Sequence, residues 1–155
     1  SKECVFGPCG EQKERSPVSP LLMFNKHLFS SLRLDWQTPK ALYDALDAEF
    51  HFDFDPCPHN PTFEGLAIEW GSRNFVNPPY GHEVGKWCQK ALEESQKGRL
   101  VVMLLPSRTD TRWWHEVVMK ATEIRFIRGR LHFDGHKSGA PFPSAVVVFR
   151  PSRPS

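Results

Sequence analysis

An α/β fold whose sheet is mostly parallel, with an antiparallel last strand, is what this sequence predicts. Three observations carry that expectation. Leu100-Val101-Val102-Met103-Leu104-Leu105 is apolar without interruption and stops at Pro106, the pattern of a central strand covered on both faces. Ahead of it, short extended and helical segments alternate, as they do where crossover helices join parallel strands. Behind it, the chain finishes in adjacent extended segments. With 155 residues, 39% hydrophobic and 25% charged, the chain suits one domain that buries about two-thirds of its unfolded surface.

Residues 1–34 form the least committed stretch. Ser16-Pro17-Val18-Ser19-Pro20 is linker-like, and only Leu21 to Phe24 and Leu28 to Leu32 offer apolar surface. This reads as an arm, loosely packed or docked on a protein partner or a second copy. Organisation begins at Trp36. Thr38 is a good helix N-cap and Pro39 suits the first helical position, so a helix is expected to about Phe50 with Leu42, Ala45, Leu46 and Phe50 on its buried stripe. Phe52 to Asp55 alternates as a strand and stops at Pro56. A proline-rich loop follows, closing in a helical turn around Leu66 to Trp70. Asn74 to Val76 reads as the end of a short buried strand. A helix from about His82 to Gln96 buries Val84, Trp87, Cys88, Ala91 and Leu92, and Gly98 stops it. A third helix is expected over Thr111 to Ala121. Strands are expected over Glu123 to Ile127, Leu131 to Phe133 and Ala145 to Phe149. The organised domain thus spans residues 35–150, with a tail at 151–155.

Composition excludes several classes. No apolar run approaches the ~20 residues of a membrane span, and Ser1-Lys2-Glu3 leads into no apolar signal region, so a cytoplasmic protein without membrane contact is expected. Cys4, Cys9, Cys57 and Cys88 read as free thiols of a reducing compartment; Cys57 and His59 complete a four-ligand set with Cys4 and Cys9 only on paper, and no metal is expected. No Ser/His/Asp set of a hydrolase is present. The net charge of +2 is uneven: residues 36–107 carry six Lys/Arg against ten Asp/Glu, and residues 108–137 carry seven against four. The second half suits a phosphate backbone or a plain solvated surface.

Asn77-Pro78-Pro79-Tyr80 is the stretch on which chemistry centres. Two prolines forbid helix and ladder pairing, and Asn77, preceding a proline, is pushed to extended geometry. Its carboxamide and the Pro78 carbonyl are therefore held at a strand's carboxyl end, where open α/β sheets bind ligands. An amino group on a base ring is a poor nucleophile because its lone pair is delocalised. Two carbonyl acceptors on its hydrogens draw the nitrogen toward tetrahedral geometry, and the Tyr80 ring is expected to stack on the base.

This tetrapeptide and an ordered series of further motifs resemble the phage-type adenine-N6 DNA methyltransferase family. The series comprises Trp36-x-Thr38-Pro39, Asp55-Pro56-Cys57, Leu66 with Trp70, Val102-Met103-Leu104-Leu105-Pro106, Arg108 to Trp113, Arg128-Gly129-Arg130-Leu131-x-Phe133 and Ala140 to Ser144. It covers about Asp35 to Phe149. The resemblance implies a minimal Rossmann-like sheet, S-adenosyl-L-methionine as methyl donor, and double-stranded DNA as partner in a bacterial or phage-infected cell. It implies catalytic roles for Asn77, Pro78 and Tyr80. Cofactor contacts are implied for Thr38, Pro39, Asp55 and Pro56, with Asn77 beside them; Trp36 reads as a wall of the cofactor pocket or as a core ring. The chain also departs from the common pattern. Pro56-Cys57-Pro58 stands where a Gly-rich loop is usual, and only 22 positions separate Asp55 from Asn77. The acidic residue for the cofactor ribose has no clear counterpart, Glu64 and Glu69 being the candidates. DNA contacts are sought in Arg108 and Arg112, in Trp113 as a stacking ring or a core ring, and in Arg128 and Arg130 as one side of a β-ribbon or as surface charge. Trp114 reads as core, and Asp110 as a helix cap. Beside the enzyme stand two alternatives: a catalytically inactive methyltransferase-like DNA-binding module, and an interaction module that recruits a partner through its arm.

Overall fold

A computed structural model describes residues 36–152; the arm at 1–34, Asp35 and residues 153–155 lie outside them. In order the elements are α1 (Lys40–Phe50), β1 (Arg73–Val76), α2 (Val84–Gln96), β2 (Leu100–Pro106), the short α3 (Arg112–Glu116), a 3-10 turn (Val118–Lys120), β3 (Glu123–Phe126) and β4 (Ser144–Phe149). The four strands form one sheet in the order β1-β2-β4-β3. All seven residues of β2 and all six of β4 are buried, so the apolar run at Leu100 is the sheet's central strand.

Pairing corrects the expectation of a mostly parallel sheet. β1 runs parallel to β2, with Phe75 opposite Val102. β4 is antiparallel to both β2 and β3, with Val147 opposite Met103 and Ile124. One pairing in three is therefore parallel. The cause is where the last strand goes: β4 inserts between β2 and β3, and an antiparallel return needs no crossover helix. The antiparallel last strand itself is as expected. The strand expected at Phe52 to Asp55 shrinks to one parallel bridge, Phe54 to Asn74, framed by bonds from the Asp53 N–H to Arg73 O (2.8 Å) and from the Phe75 N–H to Phe54 O (3.1 Å).

The helices differ from expectation in informative ways. Pro39 takes the N-cap place of α1 and no side chain caps it; the Thr38 hydroxyl is engaged elsewhere. Ala45 is exposed, and the half-buried Tyr43 joins Leu46 and Phe50 instead, its ring meeting Phe75 edge-on at 5.2 Å. In place of the helical turn expected around Leu66 to Trp70, a hydrogen-bonded turn covers Gly65 to Ala67 and no helix follows. α2 begins at Val84, buries the expected face, and ends before Gly98, whose φ of 97° suits the residue after a helix. α3 stops at Glu116 because Val117, at φ −122°, has left the helical region, and only a 3-10 turn follows. Leu131 to Phe133 forms no strand; Phe133 is buried and meets the rings of Trp36, Tyr80 and Phe142.

One charged group closes the amino end of the sheet. Glu94, near the end of α2, has no exposed side-chain surface and meets Lys90 at 3.2 Å, Lys97 at 3.5 Å and Arg99. It also accepts from the Trp70 N–H at 3.2 Å. Burial alone raises its pKa, but Arg99, the Trp70 N–H and Lys90 outweigh burial and hold the carboxyl down at about 2. A carboxyl depressed below its ordinary 4.5 stabilises the fold above that value, and the contribution is lost as pH falls toward 2. Glu94→Gln is expected to destabilise the protein at neutral pH by about 2 kcal/mol, less than the roughly 3–5 kcal/mol of a fully buried pair because its cations keep contact with water. It should also flatten the loss of stability between about pH 4.5 and 2; urea titrations across that range check both.

Candidate active site

The site lies at the carboxyl end of β1. There the chain turns away through Asn77-Pro78-Pro79-Tyr80, whose prolines lend no N–H to the sheet. Asn77 Nδ2 donates to the main-chain carbonyl of Trp36 and to Thr38 Oγ1, the latter at 3.0 Å. A carbonyl can only accept, so the amide nitrogen must face Trp36 and the amide oxygen must face away. That oxygen, Oδ1, is buried and has no hydrogen-bond partner. An unpaired buried acceptor costs about 1–3 kcal/mol, so it is a position where a donor from outside the chain would bind.

The segment carrying those acceptors is itself clamped. Gln37 pairs with Asp134, whose N–H donates to Gln37 O at 3.2 Å. The Trp36 ring stacks on His136 at 4.3 Å and meets Phe133 and Phe142 edge-on at 5.3 Å. Trp36, Thr38 and Asn77 are thus brought together, with the 131–143 loop behind them. Pro39 starts α1 nearby, accepting from the Tyr43 N–H at 3.0 Å.

Pro78 is buried and Pro79 exposed. Tyr80 is 5% exposed: its hydroxyl donates to Leu104 O at 3.3 Å, and its ring meets Phe142 at 5.3 Å and Phe133 at 6.3 Å, both edge-on. Burial pushes its pKa up. The open stacking face expected of Tyr80 is therefore absent, because the ring fills the space between the sheet and the 131–143 loop.

Asp55 follows the Phe54 bridge, so it stands at the carboxyl end of the run beside β1. Its Oδ1 accepts from the Cys57 N–H at 2.9 Å. The residue is exposed, yet the carboxyl sits low among neighbouring atoms; this burial raises its pKa, opposed by the Cys57 bond. Pro56 is buried against Gly65, where a Cβ would come within 2.1 Å of the Pro56 carbonyl oxygen and 2.6 Å of the Trp87 ring. The Pro56-Cys57-Pro58 loop is thus packed on the protein itself. Glu64 is exposed, and Glu69 is paired with Arg99 at 2.7 Å.

The basic residues divide. Beyond the end of β2, Ser107, Arg108, Thr109 and Asp110 face Pro141, Phe142 and Pro143 across a cleft, held by the Ser107 N–H to Pro143 O bond at 2.8 Å. Arg108 is exposed, its guanidinium 6.0 Å over the Phe142 ring. Arg112 is exposed and 3.7 Å from Glu116. Trp113 is half-buried against Gly85 of α2, and Trp114 is core, its amide bonded to the capping Thr111 hydroxyl at 3.3 Å. Thr111, rather than Asp110, caps α3. The β-ribbon expected for Arg128 and Arg130 does not form, because Gly129 turns the chain at φ 76° and no strand follows. Arg128 is exposed, and Arg130 donates to Ala140 O at 3.2 Å.

Sequence reasoning missed the partners of the site more than its centre. The Trp36 carbonyl, the Leu104 carbonyl and the ring cluster of Phe133, Phe142 and His136 carry no local signal, since each acts across a long stretch of chain. Among the described residues no group of three His, Cys, Asp or Glu could hold a metal, and no helix is long and apolar enough to cross a membrane. Cys88 is a buried free thiol, its pKa pushed up to about 12 by burial; Cys4 and Cys9 lie outside the described residues.

Comparison with known proteins bears on this arrangement. A family model described as DNA N-6-adenine-methyltransferase (Dam) matches residues 25–153. A DNA N-6-adenine-methyltransferase of Haemophilus phage HP1 (strain HP1c1) is 28% identical over 138 residues, covering 77% of this chain and 80% of the relative. A protein of the same name from Escherichia phage T1 is 28% identical over 112 residues, covering 64% of this chain, which spans only 47% of that longer relative. No solved structure matches.

The buried Tyr80 makes a direct expectation. Tyr80→Phe keeps the ring contacts and removes the bond to Leu104, so stability should fall by about 1 kcal/mol with the fold intact. Tyr80→Ala should cost about 3–5 kcal/mol, as for other large core rings. Denaturant titration checks both; a negligible loss for Tyr80→Ala would show the ring to be outside the core.

Proposed function

Because the chain belongs to the DNA N-6-adenine-methyltransferase (Dam) family and is a DNA adenine-N6 methyltransferase, we propose that Asn77 is the group that receives the adenine amine and that S-adenosyl-L-methionine is the methyl donor. The observation that supports this is the Asn77 amide, with both its nitrogen hydrogens engaged and its oxygen buried without a partner. Such an oxygen suits an N–H donor from a substrate, and an adenine amine has two. The Pro78 carbonyl, next along the rigid turn, takes the second hydrogen. With both hydrogens held, the nitrogen lone pair is drawn out of conjugation toward the electrophile. No titrating base is needed before attack, since the proton leaves after the nitrogen becomes cationic.

The donor set fits the cofactor in two respects. Asp55 offers a carboxylate beside β1 for the ribose or amino end of a cationic ligand, and Trp36, Pro39 and the main chain of Thr38, whose hydroxyl is engaged by Asn77, border the same strand end. Pro56 shapes that edge from within. When bound, S-adenosyl-L-methionine supplies an electrophilic methyl group; the protein's part is to hold the amine, exclude water and fix the approach. We read the sheet as a shortened Rossmann-like one, with the Phe54 bridge as the remnant of its first strand. The substrate is double-stranded DNA, so the adenine must leave the stack at a cost of a few kcal/mol. Stacking on Tyr80 requires its ring to turn out of the core and give up Leu104. Arg108, Arg112 and Arg128 face the phosphates, with Arg130 and Trp113 at the margin. The arm at residues 1–34 is assigned to a protein partner or self-association.

Labelled-methyl transfer onto unmethylated DNA, with nucleoside analysis of the product, tests the central reading. N6-methyladenine is expected from the parent protein and none from Asn77→Ala, while the cofactor still raises the melting temperature of that variant by mass action. Asp55→Ala should lose the cofactor-induced shift. Near-parental turnover by Asn77→Ala would remove the acceptor role. For DNA binding, Arg108→Glu combined with Arg112→Glu should weaken affinity for any duplex. The slope of log affinity against log salt should fall by about 0.9 for each phosphate no longer neutralised. Parental binding across a salt series would make both residues bystanders.

A further inference from the structure

The Thr38 hydroxyl lies 3.0 Å from Asn77 Nδ2 across 39 positions of chain. We infer that Thr38 is a positioning residue for Asn77: with the Trp36 carbonyl, it fixes the carboxamide in the one orientation that leaves Oδ1 aimed at the substrate amine. This rests on the reading of Asn77 above and assigns the group that sets its geometry.

A carboxamide has two planar orientations that exchange oxygen and nitrogen. In the exchanged one, Oδ1 would meet the Trp36 carbonyl oxygen, acceptor against acceptor, and Nδ2 would present hydrogens to an amine that needs an acceptor. One main-chain acceptor favours the right orientation but leaves the amide free to pivot on its second hydrogen. Thr38 takes that hydrogen, so both donors are matched within the protein and Oδ1 alone is left over. Donation from both N–H groups also polarises the amide and strengthens its oxygen as an acceptor.

Thr38 is itself held still for the task. It does not cap α1, the ordinary use of a threonine just before a helix; Pro39 has the N-cap place and no side chain caps the helix. Gln37 before it is paired with Asp134, and Pro39 after it accepts from Tyr43. The Trp36 carbonyl cannot be altered by substitution, which leaves Thr38 as the side chain through which the amide can be tested.

Thr38→Val removes the hydroxyl at nearly constant shape, and Thr38→Ser keeps it. Thr38→Val is expected to lower kcat about tenfold, which corresponds to about 1.4 kcal/mol. Its KM for S-adenosyl-L-methionine and for DNA should stay within about twofold, and Thr38→Ser should stay near parental. In 15N-labelled protein the Asn77 side-chain NH2 signals should shift and exchange faster with water in Thr38→Val, while backbone signals of β1 and β2 hold still. Parental kcat in Thr38→Val, unmoved NH2 signals, or Thr38→Ser as impaired as Thr38→Val would each overturn the assignment. So would a loss confined to cofactor affinity, which would place Thr38 against the cofactor instead. Inactive Asn77→Ala beside fully active Thr38→Val defeats the positioning role alone, whereas active Asn77→Ala defeats the acceptor reading itself.

Discussion

The bonds from the Asn77 amide to the Trp36 carbonyl and the Thr38 hydroxyl tie the end of β1 to the approach to α1 and, through the Trp36 ring, to a distant loop. Asn77 closes β1, Thr38 opens the approach to α1, and Trp36 leans its ring on Phe133, Phe142 and His136 of the distant loop. The proline pair makes the junction stiff, because Asn77 is confined to extended geometry and the turn cannot fold into helix. Tyr80 pins the far side of that turn to the Leu104 carbonyl, in the middle of the buried central strand. An amide held through both its hydrogens beside a rigid turn has little side-chain freedom left to lose.

The two ends of the sheet are finished differently. At the amino end of β2, the buried Glu94 carboxylate is satisfied by a main-chain N–H and three cations. At the carboxyl end polar groups are left over. Of the four buried side-chain atoms without a partner among the described residues, Asn77 Oδ1, Ser107 Oγ and Ser144 Oγ lie there: Ser107 follows β2, and Ser144 pairs with Pro106 across the sheet. Unsatisfied buried groups are destabilising, and the all-buried β2 and β4 supply the apolar contact that tolerates them. Polar groups are thus satisfied at one end of the sheet and left over at the other, the end at which open α/β sheets bind ligands.

What could be read from the sequence was what neighbours along the chain decide. Leu100 to Pro106 was legible because a continuous apolar run has one comfortable place in a sheet, and Gly98 because a helix stop needs a residue at ease with positive φ. Asn77 was legible because two prolines after it fix its backbone. Legibility failed where a distant group intervened. Thr38 looks like an N-cap until Asn77 competes for its hydroxyl. Phe133 looks like a strand residue, but rings from three segments bury it without a ladder. Tyr80 looks like an open ring, and no local pattern reveals that the 131–143 loop will cover it. Strand pairing failed for a related reason: nothing in β4 says that it will slip between β2 and β3.

Counting charges along the chain likewise does not show which of them the fold answers. Of the seven cations in residues 108–137, Arg125 faces Glu49 at 2.6 Å and Glu123 at 2.6 Å, and its guanidinium lies 5.3 Å over the Phe50 ring. Its charge is answered within the fold. Arg130 is turned back onto the Ala140 carbonyl. Arg112 has a carboxylate one turn away, but at 3.7 Å and high exposure such a pair is worth little and releases its cation readily to a phosphate. Among the described residues, Arg108 and Arg128 make no ion pair at all. Arg108 stands beside the cleft that opens past β2, next to the unpaired Ser107 hydroxyl, on the same end of the sheet as Asn77. Its place at the strand end that also carries Asn77, more than the size of the basic excess, is what sets Arg108 apart from the cations answered within the fold.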